Sequence, residues 1–166
     1  SGQLLVGRAE CQFGACVNDV RHGLRLGEID APIEKGTSRE LPRLSDAGTG
    51  TTSDAIEGIE WVIFHAKEYN IRVLNISLAA QSTQSWTTDP LCVAVRSATA
   101  AGITVVVAGG NFGLNTSNQE VYGRISAPGN DPSVITVGSV NLHDTVVRDD
   151  DTINGFSARG PTRGAT

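Results

Sequence analysis

The chain has 166 residues, of which 39% are hydrophobic and 19% are charged, so it is long enough for one domain with a substantial core. A net charge of -5 without a basic stripe argues against a nucleic-acid partner, and no apolar run approaches the roughly 18 residues that a membrane span needs. The N-terminal stretch SGQLLVGRAECQ lacks the charged start and apolar core of a signal peptide. Three cysteines, Cys11, Cys16 and Cys92, are too few for a disulfide framework and fit no zinc spacing, which leaves free thiols or one short Cys11–Cys16 loop.

The chain divides near residue 46 into an irregular segment, 1–45, and a regular segment, 46–166. In the first segment, only the short apolar runs QLLVG and GLRLGEI are candidate strands. The second segment begins with a predicted helix, which Ser53 or Asp54 can cap. One face of this helix is apolar and carries Ile56, Ile59, Val62, Ile63 and Ala66. The next stretch, IRVLNISLA at 71–79, predicts a buried strand covered on both faces, as in parallel sheets.

Two further strands are predicted around a second helix. The stretch DPLCVAVRSATAAG predicts a helix with Pro90 in its first turn and Gly102 beyond its end. The stretches ITVVVAGG and SVITVGSV predict strands on either side of a long loop, 111–132, and a polar tail begins at Leu142. This alternation of strands and helices predicts a doubly wound α/β fold with a mainly parallel sheet.

Small residues follow one of these strands in the stretch VVVAGGNFG, residues 105–113. In parallel sheets, sites lie beyond the carboxyl ends of the strands. Asn111 falls at such an end, as do Ser77 and the Gly138–Ser139 pair. Small residues let another chain approach the backbone closely, and a neighbouring amide can project into the space they leave. Asparagine is also common in turns, so this stretch alone leaves a turn and a site both open.

Five stretches stand in an order and spacing that is typical of one family: GTGTTSDAIEGIEW (48–61), IRVLNISLA (71–79), TVVVAGGNFG (104–113), APGNDPSVITVGSV (127–140) and FSARGPT (156–162). With these stretches, residues 48–161 resemble the subtilisin-like serine proteases. The resemblance implies a subtilisin-like but incomplete fold in which Asn111 is the oxyanion-hole asparagine. It assigns substrate binding to three segments, namely Gly48, Thr49 and Gly50 on one edge, Ser77, Leu78 and Ala79 on the other, and Ala108, Gly109 and Gly110 along the side-chain pocket.

The family's other catalytic motifs match poorly. Its nucleophilic serine lies in a Gly-Thr-Ser-Met-Ala motif beyond FSARGPT and its aspartate in Asp-Thr-Gly or Asp-Ser-Gly, and neither motif occurs in the 166 residues. The base lies in His-Gly-Thr-His-Val-Ala-Gly, of which His22 and Gly23 keep the first two positions. His22 is therefore the candidate base, with a surface histidine as the alternative. His65, within a helix, and His143, on a turn, are expected to be structural or solvated.

Two functional hypotheses follow. The first is a serine hydrolase that acts on peptides or simple esters through an asparagine oxyanion hole, with the nucleophile motif absent. The second is a non-catalytic remnant or peptide-binding module. Because an incomplete sheet leaves edges and faces uncovered, we also expect a homo-oligomer. The resemblance implies a secreted or extracytoplasmic protein that requires no cofactor and no metal, and it allows a weak calcium site on the carbonyls of 129–134, where an ordinary loop is the alternative.

Overall fold

The structure is a computed structural model that describes residues 3–5 and 51–162. These residues form two helices and six strands. In chain order the elements are β1 (Gln3–Leu5), α1 (Thr52–His65), β2 (Ile71–Ile76), α2 (Pro90–Ala100), β3 (Thr104–Ala108), β4 (Ile135–Val137), β5 (Val140–Asn141) and β6 (Thr152–Ile153). The expected strand in GLRLGEI and most of the segment 1–45 lie outside the described residues, whereas the strand in QLLVG is confirmed as β1.

The main sheet has the order β1-β2-β3-β4, and every neighbouring pair of its strands is parallel. The pairing aligns Leu74 with Val105 and Ile76 with Val107, so these four side chains point to the same face of the sheet. All four are buried together with residues of both helices, which form one hydrophobic core. The predicted α/β class with a mainly parallel sheet is therefore confirmed.

The opposite face of the sheet is less covered than the pattern of β2 predicts. Val73, Asn75 and Val106 point to this face and are only partly buried, and Ile135 and Val137 of β4 are exposed. The strand at 71–79 is thus covered fully on one face only, within the part of the chain that the structure describes. This second face, rather than the helix-covered one, borders the open space beside the strand ends.

Helix α1 begins two or three residues earlier than the sequence predicts, because the cap is Thr51 and not Ser53 or Asp54. The Thr51 hydroxyl accepts from the Asp54 backbone N–H at 3.1 Å, and the Asp54 carboxylate accepts from the Thr51 backbone N–H at 2.9 Å. This reciprocal pair is a capping box, so Asp54 serves as its third helical residue and not as its cap.

Helix α2 follows its predicted limits. The Asp89 carboxylate caps it by accepting from the backbone N–H groups of Leu91 and Cys92 at 2.9 and 3.2 Å. Pro90 occupies its first turn, where its missing N–H costs no hydrogen bond. Gly102 follows its end with a φ of 84°, a conformation that glycine adopts without strain.

The tail after β4 contains a structure that its polar sequence did not predict. Strands β5 and β6 pair antiparallel, with Val140 opposite Ile153 and Asn141 opposite Thr152. The chain then returns to the end of the main sheet through residues 154–158. Within the described residues, no helix is long and apolar enough to cross a membrane.

Candidate active site

A cleft of about 310 Å³ opens where three parallel strands end. Strand β2 contributes Asn75, the residue after its end is Ser77, and the loop after β4 contributes Gly138 and Ser139. The remaining lining residues come from β3, the segment after it, the end of β4 and the returning tail, and they are Val106, Val107, Ala108, Gly110, Asn111, Val137, Phe156 and Ser157. The three strand ends that the sequence singled out therefore meet in one cleft.

Asn111 lines this cleft and is half-buried. It follows Gly110, whose φ of 102° turns the chain out of the sheet. A Cβ atom at position 110 would lie 2.9 Å from the Ser126 hydroxyl oxygen and 3.3 Å from the Phe112 ring. The positive φ and the lack of room for a Cβ atom both require glycine at position 110, which explains why the valine run ends in small residues.

The segment Ala108–Gly110 is held by backbone hydrogen bonds to three other segments. The Gly109 N–H donates to the Val137 carbonyl at 2.9 Å, and the Gly109 carbonyl accepts from the Ser126 N–H at 3.1 Å. The Gly110 carbonyl accepts from the Ala158 N–H at 2.9 Å. Gly109 and Gly110 are both buried, and of this segment Ala108 and Gly110 line the cleft. The backbone that precedes Asn111 is thus fixed before any ligand binds.

The returning tail closes one side of the cleft. The buried Ser157 hydroxyl accepts from the Ser139 N–H at 3.0 Å, and the Ser139 hydroxyl accepts from the Asn154 side-chain amide at 2.8 Å. The Gly113 N–H donates to the Phe156 carbonyl at 2.9 Å. The sequence marked FSARGPT only as a matching stretch and assigned no role to Phe156 or Ser157, because nothing local indicates which loop faces them.

The predicted substrate edge after β2 is only partly exposed to the cleft. Ser77 lines it, whereas Leu78 packs against the hydrophobic core and Ala79 is half-buried. Beyond them, Ala80 and Ala127 exchange backbone hydrogen bonds of 2.9 and 3.1 Å. The other predicted edge, Gly48, Thr49 and Gly50, and the candidate base His22 lie outside the described residues.

The two described histidines lie away from the cleft lining. His65 stacks on Trp61 with ring centroids 4.1 Å apart, and its Nδ1 lies 2.8 Å from the Trp61 carbonyl. His143 is exposed, and its Nε2 lies 3.0 Å from the Thr152 hydroxyl. The expectation that both are structural or solvated agrees with these contacts. In the described portion, the cleft is lined by three serines and by no histidine.

The loop 129–134, where the resemblance allows a calcium site, holds one acidic side chain, Asp131. Its Oδ2 lies 2.9 Å from Arg96 Nη1, and its Oδ1 accepts from the backbone N–H and the hydroxyl of Ser133 at 2.9 and 2.6 Å. The Gly129 carbonyl accepts from the Thr136 hydroxyl at 2.6 Å. A cation here would depend on the remaining main-chain carbonyls, since the carboxylate already has its partners. Among the described residues, no group of three or more His, Cys, Asp or Glu is arranged to hold a metal ion.

Cys92 lies buried beside this loop. Its thiol donates to the Asn130 side-chain oxygen at 3.2 Å. Burial, with smaller contributions from the negative charges of Asp89 and Asp131, raises the pKa of the Cys92 thiol to about 12. This cysteine is therefore protonated and unreactive at neutral pH.

Comparison with known proteins shows the family. The model of the subtilase family matches residues 15–166, and the chain belongs to that family. Serine protease AprX of Bacillus subtilis (strain 168) is 36% identical over 141 residues, which are 82% of this chain and 30% of that protein. A subtilisin-like protease of Coccidioides posadasii (strain C735) is 33% identical over 131 residues, which are 74% of this chain and 30% of that protein.

Solved structures agree with this assignment. A structure titled S41 psychrophilic protease matches with a TM-score of 0.55 and 26% identity, over 70% of this chain and 34% of that one. A cold adapted subtilisin-like serine proteinase matches with a TM-score of 0.50 and 30% identity, over 71% of this chain and 36% of that one. The predicted family and the subtilisin-like, incomplete α/β fold are thereby confirmed. The chain spans about 30% of the length of these two curated relatives.

Proposed function

We propose that the chain is part of a serine hydrolase that cleaves peptide bonds and simple esters, with the Asn111 amide as oxyanion donor. The observation that carries this proposal is the position of Asn111, which lines a cleft at the carboxyl ends of β2, β3 and β4. Open α/β sheets bind their ligands at this edge. Similarity to relatives that are named serine proteases supports the reaction class.

Acyl transfer requires a hydrogen-bond donor that is in position before the reaction starts. When a nucleophile attacks an acyl carbon, the carbonyl oxygen gains negative charge, and a side-chain N–H directed at it lowers the barrier. Such a donor acts most strongly when it does not have to reorganise. The hydrogen bonds of Gly109 and Gly110 to Val137, Ser126 and Ala158 supply that rigidity immediately before Asn111.

The proposed substrate is an extended peptide. Gly48–Gly50 and Ser77–Ala79 would pair with its backbone on either side, and Ala108–Gly110 would form the wall beside one of its side chains. A simple ester would need less activation than a peptide, because its leaving group is better. His22 is the candidate base, because His22 and Gly23 match the first two positions of the motif that holds the family's base.

The test compares two asparagine substitutions in the full chain. Asn111→Ala should lower kcat for a nitrophenyl ester by roughly a hundredfold to a thousandfold, the cost of removing one oxyanion donor. Asn115→Ala is the matched control, because Asn115 lies in an exposed turn where its amide donates to Gln119 at 3.0 Å. An unchanged rate in Asn111→Ala would place the activity elsewhere.

A non-catalytic peptide-binding module is the second candidate. The absence of a histidine among the described residues that line the cleft favours it. A fluorophosphonate probe separates the two, because it labels an activated serine stoichiometrically and leaves an inert binding module unlabelled. An unlabelled chain that still binds an extended peptide would be a binding module. Mass spectrometry of a labelled chain would identify the nucleophile.

We further propose that the protein works outside the cytoplasm and that its reaction requires no cofactor. Acyl transfer at an oxyanion hole uses only protein groups, so the chelator EDTA should leave kcat unchanged. A weak calcium ion on 129–134 would act on stability instead, and would show as a calcium-dependent rise in Tm.

A further inference from the structure

One ion pair, between the partly exposed Arg96 and the buried Asp131, joins helix α2 to the loop 126–134. Arg96 Nη1 lies 2.9 Å from Asp131 Oδ2, and the Asp131 side chain is completely buried. The same guanidinium donates to the carbonyls of Trp86 and Thr87 at 2.9 and 3.0 Å, and it lies over the Trp86 ring at 5.2 Å from its centroid. Arg96 therefore connects three segments: the loop before α2, α2 itself and the loop 126–134.

The carboxylate of Asp131 depends on this connection. Its other oxygen accepts from the Ser133 N–H and hydroxyl, so within the described residues the Asp131 carboxylate accepts from α2 and from its own loop. A buried carboxylate without its cation is costly, and removing one partner of such a pair disturbs the structure far more than removing an exposed one. The pair therefore fixes where the loop lies.

Residues 126–129 of this loop in turn contact Ala108–Gly110, which form one wall of the cleft. The Ser126 N–H donates to the Gly109 carbonyl, and Ala127 and Ala80 each donate a backbone hydrogen bond to the other's carbonyl. Gly129 packs so tightly that a Cβ atom on it would lie 2.8 Å from the Ala108 carbonyl oxygen. A shift of the loop therefore moves the backbone that immediately precedes Asn111.

We propose that Arg96 and Asp131 are positioning residues, whose ion pair holds 126–129 against Ala108–Gly110. The pair thereby fixes the position of this backbone, which forms the cleft wall beside one substrate side chain. The inference rests on the proposed function for its effect on substrate. It concerns neither the oxyanion donor nor a residue that contacts substrate. Breaking the pair should increase the mobility of Ala108–Gly110 more than that of helix α1, which packs against α2 in the hydrophobic core.

Hydrogen exchange in the folded full chain tests this statement directly. In Asp131→Asn, the amides of Gly109 and Ser126 should exchange about tenfold faster or more, as expected when a charge-assisted hydrogen bond is lost. The amide of Val62 in α1 should accelerate much less. An equal acceleration at Val62 would show a general loss of stability and would overturn the proposal, as would no acceleration at Gly109 and Ser126.

Three further variants keep the test decisive if Asp131→Asn does not fold. Arg96→Lys keeps the charge but loses the planar fork that reaches Asp131, Trp86 and Thr87, so its exchange rates should lie between those of wild type and Arg96→Met. Ser133→Ala removes only one donor and should give the smallest acceleration. If the amides of Gly109 and Ser126 exchanged as fast in Arg96→Lys as in Arg96→Met, a role for the charge would be contradicted.

Cys92 provides a readout that is independent of activity. Because its thiol donates to Asn130 in the same loop, iodoacetamide should alkylate Cys92 faster in Arg96→Met than in wild type, as followed by peptide mapping. Arg148→Ala is the matched control, since Arg148 is 71% exposed and lies 3.5 Å from Asp151 in a surface pair. If iodoacetamide alkylated Cys92 no faster in Arg96→Met than in wild type, the result would count against the proposal.

The failure of the proposed function can be told apart from the failure of this inference. If wild type hydrolyses esters, Arg96→Lys should raise KM for a peptide several-fold with a smaller change in kcat, whereas Asn111→Ala lowers kcat. A fall in kcat with KM unchanged would overturn the positioning role. If wild type hydrolyses nothing, the proposed function fails, while hydrogen exchange at Gly109 and Ser126 still decides whether the pair holds the wall.

Discussion

Gly113 packs directly against the backbone of Ser157, so closely that a Cβ atom at position 113 would overlap the Ser157 carbonyl oxygen. The two residues are far apart in sequence, and their contact seats the returning tail beside the cleft. The Gly113 N–H donates to the neighbouring Phe156 carbonyl at 2.9 Å, which fixes the register of the two segments.

We therefore expect Gly113→Ala to separate the tail from the segment after β3. Overpacking of this kind costs about 1–3 kcal/mol or more, because backbone atoms cannot move aside as a side chain can. Urea denaturation measures the loss. Gly155→Ala is the control, since its Cβ would lie 3.6 Å or more from the Leu114 side chain and meet no backbone. Equal unfolding midpoints for the two variants would contradict the contact.

The cap of α1 gives a second prediction. Thr51→Ala removes the hydroxyl that accepts from the Asp54 N–H, and such a loss costs about 1 kcal/mol of unfolding free energy. Ser53→Ala should change little, because Ser53 is exposed within the helix and is not its cap. Urea denaturation of both variants checks this. A larger loss of unfolding free energy in Ser53→Ala than in Thr51→Ala would indicate that Ser53 is the cap, as the sequence suggested.

The capping box also makes stability depend on pH. The backbone N–H of Thr51 and then its hydroxyl hold the pKa of Asp54 below its ordinary value of 3.8. Folding therefore favours the ionised form, so this contribution is complete above the unfolded pKa and is lost as pH falls through the lower folded value. The difference in urea midpoint between wild type and Asp54→Asn should be constant near neutral pH and shrink below 3.8. Glu57→Gln, a change on the exposed side of α1, is the control and should not reproduce this pH dependence.

A third kind of prediction concerns substrate binding and rests on the proposed function. In the proposed function Ala79 lies on a substrate edge, where its methyl group would crowd an extended substrate. Ala79→Gly should therefore lower KM for a peptide by about tenfold, in line with the effect of one methylene in a binding site. Steady-state kinetics with a peptide and a small ester checks it, since the small ester should not respond. A higher KM for the peptide would contradict the assignment of this edge.

The edge strand β4 predicts self-association. Ile135 and Val137 are 54% and 50% exposed, and β4 pairs only with β3 among the described residues. Exposed apolar edges favour pairing with another chain. Sedimentation at micromolar concentration should show a species larger than a monomer, and Ile135→Lys should shift it toward the monomer. Val146→Lys, in a turn where Val146 is 95% exposed, should not. A monomeric wild type would exclude the prediction.

Much of the fold was predictable because its signals are local. Pro90 and Gly102 delimit α2, since a missing N–H and a positive φ are properties of single residues. The apolar runs predicted β2, β3 and β4 for the same reason. Parallel strands place their carboxyl ends at one edge, so the meeting of Ser77, Asn111 and Ser139 also followed from the sequence.

The cap of α1 shows where local signals compete. Thr51, Ser53 and Asp54 are all residue types that cap helices, and only the reciprocal bonds between Thr51 and Asp54 decide among them. The pair β5–β6 was missed because two-residue strands carry no detectable period.

The sequence by itself determined the two helices, the strands of the main sheet, the family and the edge of the sheet at which a site belongs, because periodicity, breakers and motif order act over a few neighbouring residues. Only the tertiary structure decided that Ser157 seats against Gly113 and that Arg96 reaches Asp131, 35 residues away. Such contacts depend on which distant segments exclude water from each other, and no pattern within either segment records its partner.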